Sequence, residues 1–236
     1  DAPTTVTEPY ISRDHTEQML TGFGVHLERY GTSVTVFPVE EDSFHAPSEI
    51  TVPGDISSAA YFLVAGTIIA GSRLRLNNVG INPTRTGILD VLRDMGAHIS
   101  VHNERESGGE RVADLLVEAA PLHGVSFGAE IMPRLIDEIP VLAVAALFAE
   151  GDTIITGAGE LRVKETDRLH AIATELQKLS PGSIEEREDG LVIHGKSEIR
   201  RAQVKSYDDH RMTMSLAVLG AAGEGVLIEN PESVNI

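Results

Sequence analysis

The 236-residue chain contains no cysteine. Disulfides, zinc–thiolate sites and a cysteine nucleophile are therefore excluded within it, and a reducing compartment such as the cytoplasm fits. Basic residues are scarce as well: 19 Lys and Arg stand against 36 Asp and Glu, for a formal net charge of −17. Nucleic acid is not expected as a partner, because binding phosphate backbones needs a basic surface. The chain as a whole attracts anions poorly, so any anion site must be a local concentration of Arg and Lys. No apolar run is long enough to span a membrane, and no signal-peptide pattern opens the sequence. The length suits one large domain, or one domain with part of another.

What the chain does contain is repetition. Three stretches are apolar almost all round: ISSAAYFLVAGTIIAG (56–71), IPVLAVAALFAEG (139–151) and MTMSLAVLGAAGEG (212–225). Helices hydrophobic on every face must be buried, and these are too short for a bilayer, so they are expected as core helices. Each ends in glycine and runs into a β-like segment: SRLRLNNV, DTIITGA and VLIEN. A second pattern occupies 15–38, 87–119 and 167–195: amphipathic helix, glycine break, strand, polar turn, strand. Joined, the two patterns give a βαβαββ unit, and Gly71, Gly151 and Gly225 mark its recurrence roughly every 75–80 residues. The expected class is α/β (α+β), built of repeated βαβαββ subdomains with buried helices and outer sheets. The expected order is half a unit in 1–52, full units over about 53–122 and 123–202, and the opening of a third. Both ends cut across a unit, so the chain reads as a fragment of a larger protein.

The helix starts carry unusual charge. Asp55 before ISSAAY, Ser12 before HTEQML, and Asn82 with Pro83 in NPTRTG read most simply as helix-start signals. In SYDDHRMTM either Asp208 or Asp209 is the cap, and Asp137 and Glu138 stand at the mouth of the second buried helix. KETDR (164–168) reads most plainly as a solvated helix face with i,i+3 and i,i+4 pairs, and His210 as a structural histidine. Yet cations gather where the helix dipole is positive and acids are favoured. Lys164 and Arg168 are four apart on one expected helix face, Arg211 opens an apolar helix, and Arg13 and Arg85 repeat the placement. That becomes sensible if a small, multiply charged anion sits between them, held by free N–H groups, guanidinium forks and a lysine. Asp137 and Glu165 would face such a clamp as ionised carboxylates able to take a proton from a hydroxyl.

LRVKETDRL, LIDEIPVLAVAALFAEG and YDDHRMTMSLAV, with VPGDISSAAYFLVA and EPYISRDHTEQML, together resemble the 5-enolpyruvylshikimate-3-phosphate synthase (3-phosphoshikimate 1-carboxyvinyltransferase) family, in order and over nearly the whole chain. SRDHTEQML and NPTRTG are most similar to its glyphosate-insensitive bacterial class. The resemblance implies an inverted α/β-barrel-like fold of two lobes, each of three βαβαββ units, with helix N-termini facing the cleft. Residues 1–52 would complete the N-terminal lobe, and 53–236 would form most of the C-terminal lobe. It implies transfer of the enolpyruvyl group of phosphoenolpyruvate to the 5-hydroxyl of shikimate-3-phosphate, with release of phosphate and no cofactor or metal. Such an enzyme serves chorismate and aromatic amino acid biosynthesis, as a cytoplasmic and monomeric full-length protein. By resemblance Asp137 takes the 5-hydroxyl proton, Lys164 binds shikimate-3-phosphate near the reacting atoms, and Glu165 transfers a proton at the methylene carbon. Arg168 and Arg211 are implied as the phosphoenolpyruvate clamp with His210 in support, and Arg13 and Tyr10 as contacts to the shikimate phosphate.

The family's N-terminal Lys, Ser and Arg cluster, its Ser-Ser/Ala-Gln motif and the lysine after its last strand have no counterpart in this sequence. About half of the site is therefore expected here, with little turnover from the chain alone. Two other readings stand beside this one: a related enolpyruvyl transferase acting on UDP-N-acetylglucosamine, and a non-catalytic module of the same fold. KETDR followed by DDHR favours the shikimate enzyme over the first. The intact set of Asp137, Lys164, Glu165, Arg168 and Arg211 argues against the second. Arg168→Ala is expected to abolish use of phosphoenolpyruvate while leaving the fold intact.

Overall fold

The structure is a computed structural model and describes residues 2–39, 43–45 and 49–235. It opens with β1 (Thr4–Thr7), α1 (His15–Gly22), β2 (Leu27–Tyr30) and β3 (Ser33–Val36). A first unit follows: α2 (Ile56–Ile68), β4 (Arg73–Gly80), α3 (Gly87–Asp94), β5 (His98–Ser107) and β6 (Glu110–Glu118). The second contains β7 (Ser126–Phe127), α4 (Ile139–Phe148), β8 (Asp152–Ile155), α5 (Arg168–Leu179), β9 (Ile184–Arg187) and β10 (Gly190–His194). Then come β11 (Ala202–Lys205), α6 (His210–Ala222) and β12 (Val226–Glu229).

The sheets repeat one order. β8 lies between a parallel β7 and an antiparallel β10, with β9 outside β10. The sheet before it runs β4-β6-β5 in the same sense, and its parallel first strand is reduced to a single bridge from Gly54 to Val79. β1-β3-β2 repeats the last three places, and the parallel pair β11-β12 repeats the first two. This is the repeated βαβαββ plan that the glycine spacing predicts.

Patterning dictates what lies inside. α4, IPVLAVAALF, has no polar side chain, and every residue from Ile139 to Leu147 is buried. α2, α4 and α6 touch one another pairwise and form the centre. The sheets cover them: on β6, Val112, Ala113, Leu115 and Val117 are buried. α2 approaches β6 so closely that a Cβ on Gly66 would stand 2.5 Å from Val117 Cγ1. A mid-helix glycine costs about 1 kcal/mol relative to alanine, but alanine here would push helix and sheet apart. Each fully buried Leu, Ile or Val contributes roughly 1.5–3 kcal/mol, so this continuous apolar cluster is the main stabilising body. Among the described residues no helix is long and apolar enough to cross a membrane.

The helix starts differ from expectation in instructive ways. Asp55 caps α2 through the Ser58 N–H (3.1 Å). Asp209, not Asp208, caps α6, accepting from the N–H groups of Arg211 (2.8 Å) and Met212 (3.4 Å). Ser12 is not a cap. α1 opens at His15, and Ser12 Oγ donates to Glu8 (2.6 Å). Asp14 holds the cap position but makes no cap bond, because Arg29 (2.6 Å) and Asn82 (2.7 Å) engage its carboxylate. Asn82 does not open α3 either: its Oδ1 accepts from Thr84 N–H (2.9 Å) in a tight turn, and the helix begins at Gly87. Arg85 is therefore outside the helix and reaches back to Asp55 (3.0 Å) and Ser57 (2.7 Å) at the start of α2.

Candidate active site

Three helix starts and one extended segment build the site. The turn Ile136–Glu138 leads into α4 and presents Asp137. α5 begins with Arg168, α6 with His210 and Arg211, and the segment ahead of α1 supplies Arg13. Asp137 is the meeting point. Its carboxylate lies 2.6 Å from Arg13 Nη2, 3.4 Å from Arg168 Nη1 and 3.7 Å from Arg211 Nη2. Burial alone would raise its pKa, but the Arg13 hydrogen bond and the charges of Arg211, Arg13 and Lys164 outweigh that and hold it below the usual range. Asp137 is thus ionised at neutral pH. It becomes a stronger base whenever an anion draws those guanidinium groups away from it.

Arg168 is the most enclosed cation of the site, its side chain only 1% exposed. Nε donates to Asp209 Oδ2 (2.8 Å), and Nη2 reaches Asp209 Oδ1 (3.4 Å) and Glu165 Oε2 (2.5 Å). Arg211 donates to the Asp137 carbonyl (3.2 Å) and lies 3.6 Å from Glu138 Oε1. Burial pulls its pKa down, and the negative charges around it, that of Asp137 foremost, more than restore it. Glu138 is buried, and its Oε1 has no hydrogen-bond partner among the described residues. Burial raises its pKa although Ser57 and Arg211 pull the other way.

Lys164 departs from expectation. It ends a 3-10 turn, Gly159–Val163, in an extended conformation, and α5 starts four residues later. It therefore shares no helix face with Arg168. Its Nζ pairs with Glu160 (2.5 Å), while Arg162 is held by Asp167 (3.0 Å) and Glu186 (2.9 Å). The cations at the helix starts are consequently not bare. Asp209, Glu165, Asp137 and Glu160 hold them.

A cleft of about 540 Å³ is lined by Tyr10, Arg13, Asp137, Glu160 and Lys164 among others. Arg13 and Arg211 both approach Oδ2 of Asp137 and Arg168 approaches Oδ1, while Glu165 projects half-exposed beside Arg168. His210 is separate: with Arg211, Tyr61 and Ser57 it lines a second cavity of about 310 Å³ between the starts of α2 and α6. Sequence reasoning missed three members of this neighbourhood. Asp209 was legible only as a cap, Glu160 carried no signal, and Tyr61 lay hidden inside an apolar helix. Among the described residues no group of three or more His, Asp or Glu is placed to hold a metal ion.

Repeated βαβαββ units, with arginines and carboxylates of several helix starts gathered around Asp137 beside a cleft, define an α/β protein with a densely charged candidate site. The relatives make the class specific. The family model for EPSP synthase (3-phosphoshikimate 1-carboxyvinyltransferase) matches residues 1–236. A curated protein from Synechocystis, named 3-phosphoshikimate 1-carboxyvinyltransferase, is 54% identical over 96% of the chain and 51% of its own length. One of the same name from Thermoanaerobacter is 48% identical over 100% of the chain and 55% of its own length. The solved EPSP synthase from Acinetobacter baumannii superposes with a TM-score of 0.92 at 40% identity, covering 99% of this chain and 54% of that one. The chain belongs to the EPSP synthase family, and it spans about half the length of the curated relatives it matches.

Proposed function

We propose that the protein containing this chain transfers the enolpyruvyl group of phosphoenolpyruvate to the 5-hydroxyl of shikimate-3-phosphate and releases phosphate. The observation that carries this reading is the ionised Asp137 carboxylate set among Arg13, Arg168 and Arg211 beside a cleft that also holds Lys164. Arg13 and Tyr10 would meet the phosphate of shikimate-3-phosphate, with Lys164 nearer its reacting hydroxyl. Arg168 and Arg211 would take the carboxylate and phosphate of phosphoenolpyruvate, with His210 behind Arg211. As both anions draw the arginines away, Asp137 gains basicity and accepts the 5-hydroxyl proton while the oxygen bonds to C2 of phosphoenolpyruvate. Glu165, assisted by Lys164, delivers a proton to C3. The tetrahedral adduct then loses phosphate from C2 as C3 returns a proton to the same group, which restores the double bond. Once paired with the substrates, the guanidinium groups would stabilise the charge that develops at each later stage.

Residues 1–52 would close the N-terminal lobe and 53–236 form most of the C-terminal lobe of a monomeric, cytoplasmic enzyme. The remaining groups of the site would come from outside this chain. The test is phosphate release by the full-length protein from phosphoenolpyruvate plus shikimate-3-phosphate. Release that needs both substrates supports the assignment. Release with UDP-N-acetylglucosamine in place of shikimate-3-phosphate, or none from a folded protein, refutes it.

A further inference from the structure

Two turns along α5 from Arg168, on the same side of the helix, lies Glu175, whose side chain is wholly buried. Its Oε1 accepts from the Tyr207 hydroxyl (2.8 Å), its Oε2 accepts from the Lys205 backbone N–H (2.9 Å), and Lys178 Nζ donates to both oxygens (2.8 and 2.6 Å). The proposed chemistry uses none of these groups. What the carboxylate grips is the backbone at the end of β11 and, through the Tyr207 side chain, the turn that leads into α6. There Tyr207 and Asp208 take φ values of 57° and 54°. Two successive residues with side chains stay in this left-handed region only where surrounding contacts over-determine them. The next residue is Asp209, which pairs with Arg168 and caps the helix that carries Arg211. α5 and the entry to α6 are thus tied at two rungs, Arg168–Asp209 and Glu175–Tyr207. Burial pushes the Tyr207 hydroxyl up to about 12, aided by its bond to Glu175 and that group's charge, so it stays a donor.

We propose that Glu175 and Tyr207 are positioning residues that set the spacing of Arg168 and Arg211, and so their match to the two charged groups of phosphoenolpyruvate. The substrate in this statement rests on the function proposed above; the spacing of the arginines does not. Tyr207→Phe in the full-length protein removes only the hydroxyl. Its KM for phosphoenolpyruvate is expected to rise roughly tenfold, with kcat within about twofold and the KM for shikimate-3-phosphate unchanged. Glu175→Ala should do the same, and Glu175→Gln, which can still bond to Lys205 and Tyr207, should recover most of the loss. Nitrogen-15 NMR of the arginine side chains supplies a readout that needs no turnover. The Arg168 Nε–H, held by Asp209, should shift and exchange faster with solvent in Tyr207→Phe. An unmoved Arg168 signal overturns the proposal, and so does an equal rise in KM for both substrates. A wild type that ignores phosphoenolpyruvate while the variant's Arg168 signal moves supports the two-rung tie and rejects only the enzymatic reading.

Discussion

Replacing Arg168 by alanine removes the cation that Asp209, Asp137 and Glu165 share. The largest consequence falls on Asp209, which is fully buried and loses both guanidinium contacts. Stripping one partner from a buried ion pair costs about 3–5 kcal/mol, because the other charge is left without compensation. The half-exposed Glu165 contact adds at most about 1 kcal/mol. Asp209 keeps its two backbone cap bonds, which offsets part of the loss, so a net destabilisation of about 3–4 kcal/mol is expected. For a chain of this size that corresponds to a fall in melting temperature of roughly 6–15 °C. Arg168→Ala is therefore expected to lower stability as well as remove a candidate ligand, because the arginine also joins three carboxylates. Urea unfolding of wild type, Arg168→Ala, Asp209→Asn and the double variant measures the coupling, which should be about 2 kcal/mol or more. If the two single effects add to within about 0.5 kcal/mol, the pair is not coupled and the reasoning fails.

Asp137→Ala should leave substrate binding largely in place and stop phosphate release by the full-length protein; an active variant would remove it from the base role. Because the Asp137 pKa is lowered in the fold, its stabilisation is present above the ordinary aspartate range and is lost as pH falls through the folded value. Asp137→Asn should accordingly lose less stability on acidification than wild type, as read from melting temperature against pH. Glu138 has the opposite sign: its raised pKa means that ionisation above the ordinary glutamate range costs the fold stability. Glu138→Gln should therefore be more stable than wild type at pH 8, with the advantage shrinking toward pH 4, and a difference independent of pH would contradict this. The full-length protein is expected to keep its activity in the presence of glyphosate, as SRDHTEQML and NPTRTG suggest, and tight inhibition would refute that.

The buried helices were legible because periodicity is a property of the chain itself: a segment such as IPVLAVAALF has only one stable place to go. The βαβαββ repeat followed from the same signal, whereas the order of strands within each sheet is set by pairings the pattern does not encode. Helix starts were less legible because a cap is decided by competition. Ser12 and Asn82 are good capping types, but Glu8 and the backbone of Thr84 claimed their side chains. Arg168 and Asp137 were legible as residues, yet their pairing with Asp209 and Arg13 joins segments 41 and 124 positions apart. Local pattern carries no information at that range. Lys164 was misplaced for the same reason, since KETDR is a good helical string whose start was fixed instead by Asp167 at the cap.

In the proposed function, the carboxylates that hold the site's cations would also decide which ions can enter. Asp209, Glu165 and Glu160 are tethered to the same chain as the groups they neutralise, so their effective concentration exceeds that of any freely diffusing cellular anion. Chloride or acetate would exchange one single charge for another and gain nothing. An anion offering two charges, or several oxygens fixed at once, can displace the half-exposed Glu165 and Glu160 and leave Asp209 in place. Selectivity in such a cleft is set by rivalry with the protein's own side chains, before the shape of the pocket is consulted.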